Sequence, residues 1–244
     1  MINRNILYAL LCFIGTMAVA ALPMPSGDPL TRYGTPEGTV LRRGRYAVAF
    51  DGATRQPRWT LVHLNAATVT GPATRDGLSF KADVETPVEF RPTPRDYAEP
   101  IYDIGHLVAA NDFGNQDDCA ATFTLSNACP QTPELNRGIW KKLEAELQRE
   151  ALTADVWIVS MPVWNTTDKL VRTMGPIRVA PAFGKAALIK RGNAITLKAW
   201  IIPHREETRK PLESYRVTTD TLEAVAGLDV WNMLPNAATL EAVK

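Results

Sequence analysis

DIGHLVAANDFGNQDDCAATFTLSNACPQTPELNRGIWKKLE, residues 103–144, carries a short β-rich run, a loop and the start of a helix in one continuous segment. The helical part is the most clearly patterned. Thr132 can cap it, and Pro133 suits a first turn whose N–H groups have no intrahelical acceptor; Leu135, Ile139, Leu143 and Leu147 then recur at steps of four. That stripe predicts an amphipathic helix through about Ala151, the longest in the chain. Upstream, Tyr46–Phe50 and Trp59–Leu64 are β-rich runs separated by Asp51-Gly52 and Gln56-Pro57, as in a hairpin with a longer loop. Downstream, residues 156–160, 177–179, 187–190 and 194–202 repeat the strand signal, and Gly192-Asn193 suits a tight hairpin between the last two. Asp220 with Glu223 resembles a capping box for a helix of residues 221–226, and Gly227 sits where that helix should stop. Strands in runs with helices set apart predict an α+β fold, a central antiparallel sheet with packed helices.

Apolar residues make up 45% of the chain, enough for a full core, and no repeat or low-complexity tract divides it. Residues 1–20 read as a secretory signal peptide, with Arg4 ahead of an apolar run from Ile6 to Ala20 that ends in the small-x-small triplet Ala18-Val19-Ala20. The run falls short of the roughly 20 apolar residues of a membrane span, and no later stretch approaches that length. Cys12 follows Leu11, where lipid attachment wants a small residue, so acylation is not expected. Residues 21–41, rich in Pro, Gly and Thr, read as an extended lead-in, and residues 42–244 as one domain. The implied location is the bacterial periplasm or the exterior, with no membrane attachment after cleavage.

The chain has 27 Lys+Arg against 26 Asp+Glu, and loss of residues 1–20 removes Arg4 and no acid. A neutral mature chain excludes polyanion binding driven by bulk charge, so any such attraction must come from local clusters or a metal. Arg42-Arg43-Gly44-Arg45, Arg91 with Arg95, and Arg137 with Lys141-Lys142 are such clusters. Leader removal also takes Cys12 and leaves Cys119 and Cys129. In an oxidising compartment these are expected to form a disulfide, worth roughly 2–3 kcal/mol for so short a loop, with two buried free thiols as the alternative. Two cysteines without a nearby histidine do not complete a zinc site.

The residue types in 103–144 suit metal-assisted hydrolysis of a phosphodiester. Such a site needs a base to take a proton from water, a hard cation to hold phosphate oxygens, and oxygen-bearing side chains to hold the cation. His106 is the candidate base, since an ordinary imidazole accepts a proton near neutrality. Asn136 offers a neutral carbonyl oxygen, and Glu144, about 80° around a regular helix from it, can hold water around the cation. Asn127 either helps orient the site or caps a turn, while Arg137 and Lys141 flank it as candidates for substrate contact. A lone histidine is more often structural, which is the reading for His63 and His204; the spaced asparagines and glutamate single out His106. Glu144 has its own bland alternative, pairing with lysines on a solvated helix face, and Trp140 reads as core.

Residues 103–113, 124–131 and 136–144 resemble the DNA/RNA non-specific endonucleases of the ββα-metal superfamily, which includes secreted bacterial nucleases and the mitochondrial endonuclease G type. The similarity extends over Tyr46–Leu64, Met174–Ile189 and Pro211–Val217. It implies that His106 is the general base, that Asn136 directly binds magnesium, or manganese in its place, and that Glu144 acts through metal-bound water. It further implies that Asn127 orients the site, that Asp103 fixes the motif's turn, and that Gly105 permits a close backbone approach. The implied substrates are DNA and RNA, cut with little sequence specificity, and homodimers occur in the family. The family's Asp-Arg-Gly-His reads Asp103-Ile104-Gly105-His106 here, so a cation is missing at Ile104. The family's upstream phosphate-contacting arginine falls to Arg91 or Arg95. Ile104 also leaves a second expectation, a catalytically weakened or inactive nucleic-acid-binding or envelope module on the same fold.

Overall fold

A computed structural model describes residues 28–35, 38, 40–166, 172–204 and 210–241; the expected leader and part of the lead-in lie outside the described residues. Seven strands form one antiparallel sheet: β1 (Val40–Arg43), β2 (Tyr46–Asp51), β3 (Gln56–Leu64), β6 (Asp155–Val163), β9 (Ala182–Arg191), β10 (Ala194–Pro203) and β11 (Arg216–Val217), side by side in that order. A second pair, β4 (Asp103–His106) and β5 (Ala128–Gln131), and a third, β7 (Arg172–Met174) and β8 (Ile177–Val179), lie outside it.

The pleat sends alternate residues to opposite faces, and both faces are covered. Tyr46, Val48, Val62, Leu64, Val156 and Ile158 pack in one apolar cluster with Leu135, Ile139, Leu143 and Leu147, so the predicted stripe of four leucine and isoleucine side chains meets the sheet. Ala47, Ala49, Trp59, Leu61, Trp157 and Val159 face the other way, into a cluster with Leu222. Pairing of Leu61 with Val159 and Val62 with Ile158 holds this register, because a one-residue slip would send each set to the wrong layer. The Gly192-Asn193 turn joins β9 to β10 as expected, with Gly192 at φ +58°.

The long helix is not regular. Residues Leu135–Trp140 form a wide, π-type turn, Gly138 leaves helical geometry at φ −101° and ψ −107°, and a regular α3 (Lys141–Ala151) follows. Glycine tolerates that backbone because it has no Cβ to clash. The 80° relation between Asn136 and Glu144 therefore does not apply, although the apolar stripe is buried throughout. Thr132 keeps part of its capping role, with Oγ1 accepting from the Leu135 N–H at 3.4 Å. At the C-terminal side, α4 (Thr219–Ala226) is capped by Thr218, which accepts from the Thr221 N–H at 3.1 Å, and not by Asp220. Glu223 instead accepts the Val230 N–H at 2.6 Å, while Gly227 ends the helix at φ +66° as expected.

The expected disulfide is corrected. Cys119, on a short helix Gln116–Ala121, and Cys129, on β5, are separate buried thiols within one apolar cluster. Cys119 Sγ is directed at the Thr74 carbonyl at 3.9 Å, and burial pushes the Cys129 thiol well above its ordinary pKa, which keeps it protonated and unreactive. Denaturation without reductant should therefore expose two thiols to a maleimide, and dithiothreitol should leave the melting temperature unchanged. A reductant-dependent fall in melting temperature would restore the bridge.

Candidate active site

β4, β5 and the kinked helix form a ββα unit against the sheet, and a cavity of about 520 Å³ opens where they meet. Among its lining residues are Arg75, Asp103, His106, Asn136, Arg137 and Glu144, with Ile104, Lys141 and Gln148 at its edges. The sequence-predicted base, amide and carboxylate thus share one space.

His106 ends β4, and its ring is held between Phe80, at 4.5 Å between centroids, and the edge of Phe123, at 4.8 Å. Its carbonyl accepts from Trp140 Nε1 at 3.2 Å, tying the strand to the helix. Nε2 has no hydrogen-bond partner. Burial, with a smaller contribution from Arg75, pushes the imidazole down to about 3, so it is neutral and available as an acceptor across the physiological range. His63 and His204 are also depressed by burial. In the window between these lowered values and about 6.5 the three imidazoles bind more protons in the unfolded chain than in the folded one, while Glu144, raised to about 8, and Glu241, raised to about 7, do the reverse. The imidazoles' share of stability is therefore full above about 6.5 and lost as pH drops through that window; lowering pH from 7.5 to 5.5 should cost the wild type more in urea midpoint than it costs His106→Phe, and equal shifts would refute it.

Asn136 donates through Nδ2 to Asp103 Oδ2 at 2.9 Å, which leaves its amide oxygen without a hydrogen bond among the described residues. Arg137 grips the same carboxylate with both arms, Nε to Oδ2 at 2.8 Å and Nη2 to Oδ1 at 2.6 Å. Burial alone would raise the Asp103 carboxyl, but the hydrogen bonds from Arg137 and Asn136 and the charge of Arg137 outweigh it and hold it below the ordinary range. Arg137 thus supplies the cation beside Asp103, while Ile104 packs toward an apolar cluster of Tyr97, Leu125 and Met174. Gly105 is required by side-chain crowding and not by a turn: a Cβ there would lie 2.1 Å from Gln131 Oε1.

Glu144 turns Oε1 into the interior, where it has no partner. Burial raises this carboxyl, opposed by Lys185 and reinforced by Asp112. Lys185 is buried over the Trp140 ring, 4.4 Å from its centroid, with Nζ 3.4 Å from the Leu107 carbonyl oxygen. The free amide oxygen of Asn136 and the carboxyl of Glu144 on one cavity are donors that suit a hard divalent cation.

Other expected site residues lie elsewhere. Asn127 is fully buried and off the cavity, with Oδ1 accepting from Val108 N–H and Nδ2 donating to the Val108 and Thr122 carbonyls at 2.9–3.0 Å. It clasps the chain two residues beyond His106. Arg91 is committed to the Val84 and Thr86 carbonyls of its own loop, and neither it nor Arg95 lines the cavity. The first basic cluster is neutralised too: Arg42 pairs with Asp28, Arg43 with Asp83, and Arg45 with Asp118.

A family model for DNA/RNA non-specific endonucleases matches residues 26–237. The chain belongs to this family. It is 32% identical over 220 residues to the mitochondrial nuclease EXOG of Xenopus laevis, covering 82% of this chain and 61% of that protein, less than two thirds of its length. It is 29% identical over 248 residues to the mitochondrial endonuclease G of Bos taurus, covering 93% of this chain and 83% of that one. A crystal structure of an EndoG/EndoGI complex superposes with a TM-score of 0.78 at 26% identity, over 84% of this chain and 91% of the other. The α+β, antiparallel architecture is thus the endonuclease family's own fold.

The cavity arginine that sequence reading missed is Arg75. It lies in the stretch Ala73-Thr74-Arg75-Asp76-Gly77, and its guanidinium sits 5.7 Å from the Phe123 ring centroid. No periodicity marks an exposed arginine in a turn. Only the return of this loop over His106 makes it part of the site.

Proposed function

We propose that this non-specific endonuclease is an exported, magnesium-dependent enzyme that hydrolyses phosphodiester bonds of DNA and RNA with little base readout. The observation that carries this is the neutral imidazole of His106 on the same cavity as Glu144 and as Asn136 with its free amide oxygen. Asn136 would hold the cation directly and Glu144 would hold it through water. When bound, the cation neutralises charge on the phosphate and on the leaving oxygen. His106 takes a proton from the attacking water; a bond forms from that water's oxygen to phosphorus, and the P–O bond to the leaving oxygen breaks. The phosphate's negative charge, placed beside the ring, strengthens the imidazole as an acceptor at the moment it is needed. Arg75 faces the phosphate, and exposed Lys141 lies along the cavity rim. Export is read from the layout of residues 1–20.

Incubating the mature protein with plasmid and with RNA tests this, with magnesium and then with a chelator. Cleavage of both, lost on chelation, is expected. Binding without turnover at any metal concentration would favour the non-catalytic module.

A further inference from the structure

We propose that His204 is a positioning residue for Asn136. This rests on the reading of Asn136 as the direct metal ligand. An amide that ligates a cation must be held by its backbone as well as by its side chain, and the turn carrying Asn136 is poorly suited to hold itself. It is a wide turn broken at Gly138, so the regular ladder of α3 begins only beyond it. The Asn136 N–H makes the first-turn i→i−4 bond to the Thr132 carbonyl at 2.9 Å, so the place of Asn136 depends on the place of Thr132. Thr132 stands at the head of that segment, where a backbone N–H has no intrahelical acceptor. His204 Nε2 accepts it at 2.7 Å. The ring is fixed from its other side, where Nδ1–H donates to the Ala180 carbonyl at 2.7 Å, just before β9. Two short bonds leave only the neutral tautomer with its proton on Nδ1. The ring is 8% exposed and lies edge-on to Phe183 at 5.3 Å between centroids, so its place is set by packing. A chain of three hydrogen bonds thus runs from the sheet side of the molecule through the imidazole and Thr132 to the backbone of Asn136.

His204→Phe keeps the ring's volume and removes both hydrogen bonds, while His204→Gln keeps one donor and one acceptor. Manganese binding, followed by its electron paramagnetic resonance signal, and the magnesium concentration giving half-maximal cleavage are measured for both, with Asn136→Ala as reference. His204→Phe should weaken both by roughly ten- to hundredfold, with a smaller fall in rate at saturating metal, and His204→Gln should stay within about threefold of wild type. Unchanged manganese binding in His204→Phe alongside loss in Asn136→Ala would overturn the role of His204 alone. Unchanged binding in Asn136→Ala would instead remove the metal reading on which it rests. Should His204→Phe melt below the assay temperature, His204→Gln decides: binding near wild type supports the proposal, and binding as weak as in Asn136→Ala refutes it.

Discussion

His106→Ala should lower the rate of plasmid and RNA cleavage by about 10²–10⁴, the contribution typical of a positioned general base, while manganese binding stays near wild type. The asymmetry follows from the site. His106 lies at the strand end between Phe80 and Phe123 and lines the cavity with no hydrogen bond to Nε2, whereas the oxygens available to a cation belong to Asn136 and Glu144 on the helix side. Removing the ring takes away the proton acceptor and leaves those oxygens in place. Loss of metal binding equal to the loss of rate would show that the imidazole is itself a ligand and that the division of roles is wrong.

Asn136→Ala should reduce cleavage at millimolar magnesium by at least about a hundredfold, the scale of losing several kcal/mol of charge stabilisation, and partial activity should return as magnesium is raised. Asn136 is the sharper test of the metal because its amide nitrogen is already engaged by Asp103 and only its oxygen is free. Asn136→Asp should behave differently from Ala. It places a second carboxylate against Asp103, so it keeps an oxygen ligand but loses the hydrogen bond that aims it. Activity unchanged in both variants would show that the cation sits elsewhere.

Much of this architecture was legible in the sequence because it is written in periodicity. The β-rich runs Tyr46–Phe50 and Trp59–Leu64 and the four-residue steps from Leu135 to Leu147 predicted two strands and a helix that are all buried in the core. That His106, Asn136 and Glu144 belong together was legible for a different reason, as chemically suited residues at a familiar spacing, and they line one cavity. What sequence could not supply depended on contacts between distant segments. The kink at Gly138 is invisible to a count of apolar steps, since the stripe continues through it. Arg91 and Arg95 were the upstream arginines the family resemblance offered, yet Arg91 turns back on carbonyls of its own loop and Arg75 is the arginine from that side that lines the cavity. The cysteines were paired on compartment and spacing, whereas the fold places both in an apolar interior as separate thiols. Asn127 and His204 show the same limit, since each serves by gripping backbone that comes from elsewhere in the chain.

Every role proposed for these residues depends on one divalent ion between Asn136 and Glu144, within reach of a phosphate faced by His106. Anomalous diffraction from crystals of the mature protein soaked in manganese tests it most directly. The account predicts a peak bonded to Asn136 Oδ1 at about 2.0–2.2 Å, with Glu144 in its water shell, and its disappearance in Asn136→Ala. A peak only at the carboxylates of Asp220, Glu223 and Glu241, whose ligand atoms lie within 4.8 Å of one another, with none beside Asn136, would contradict it.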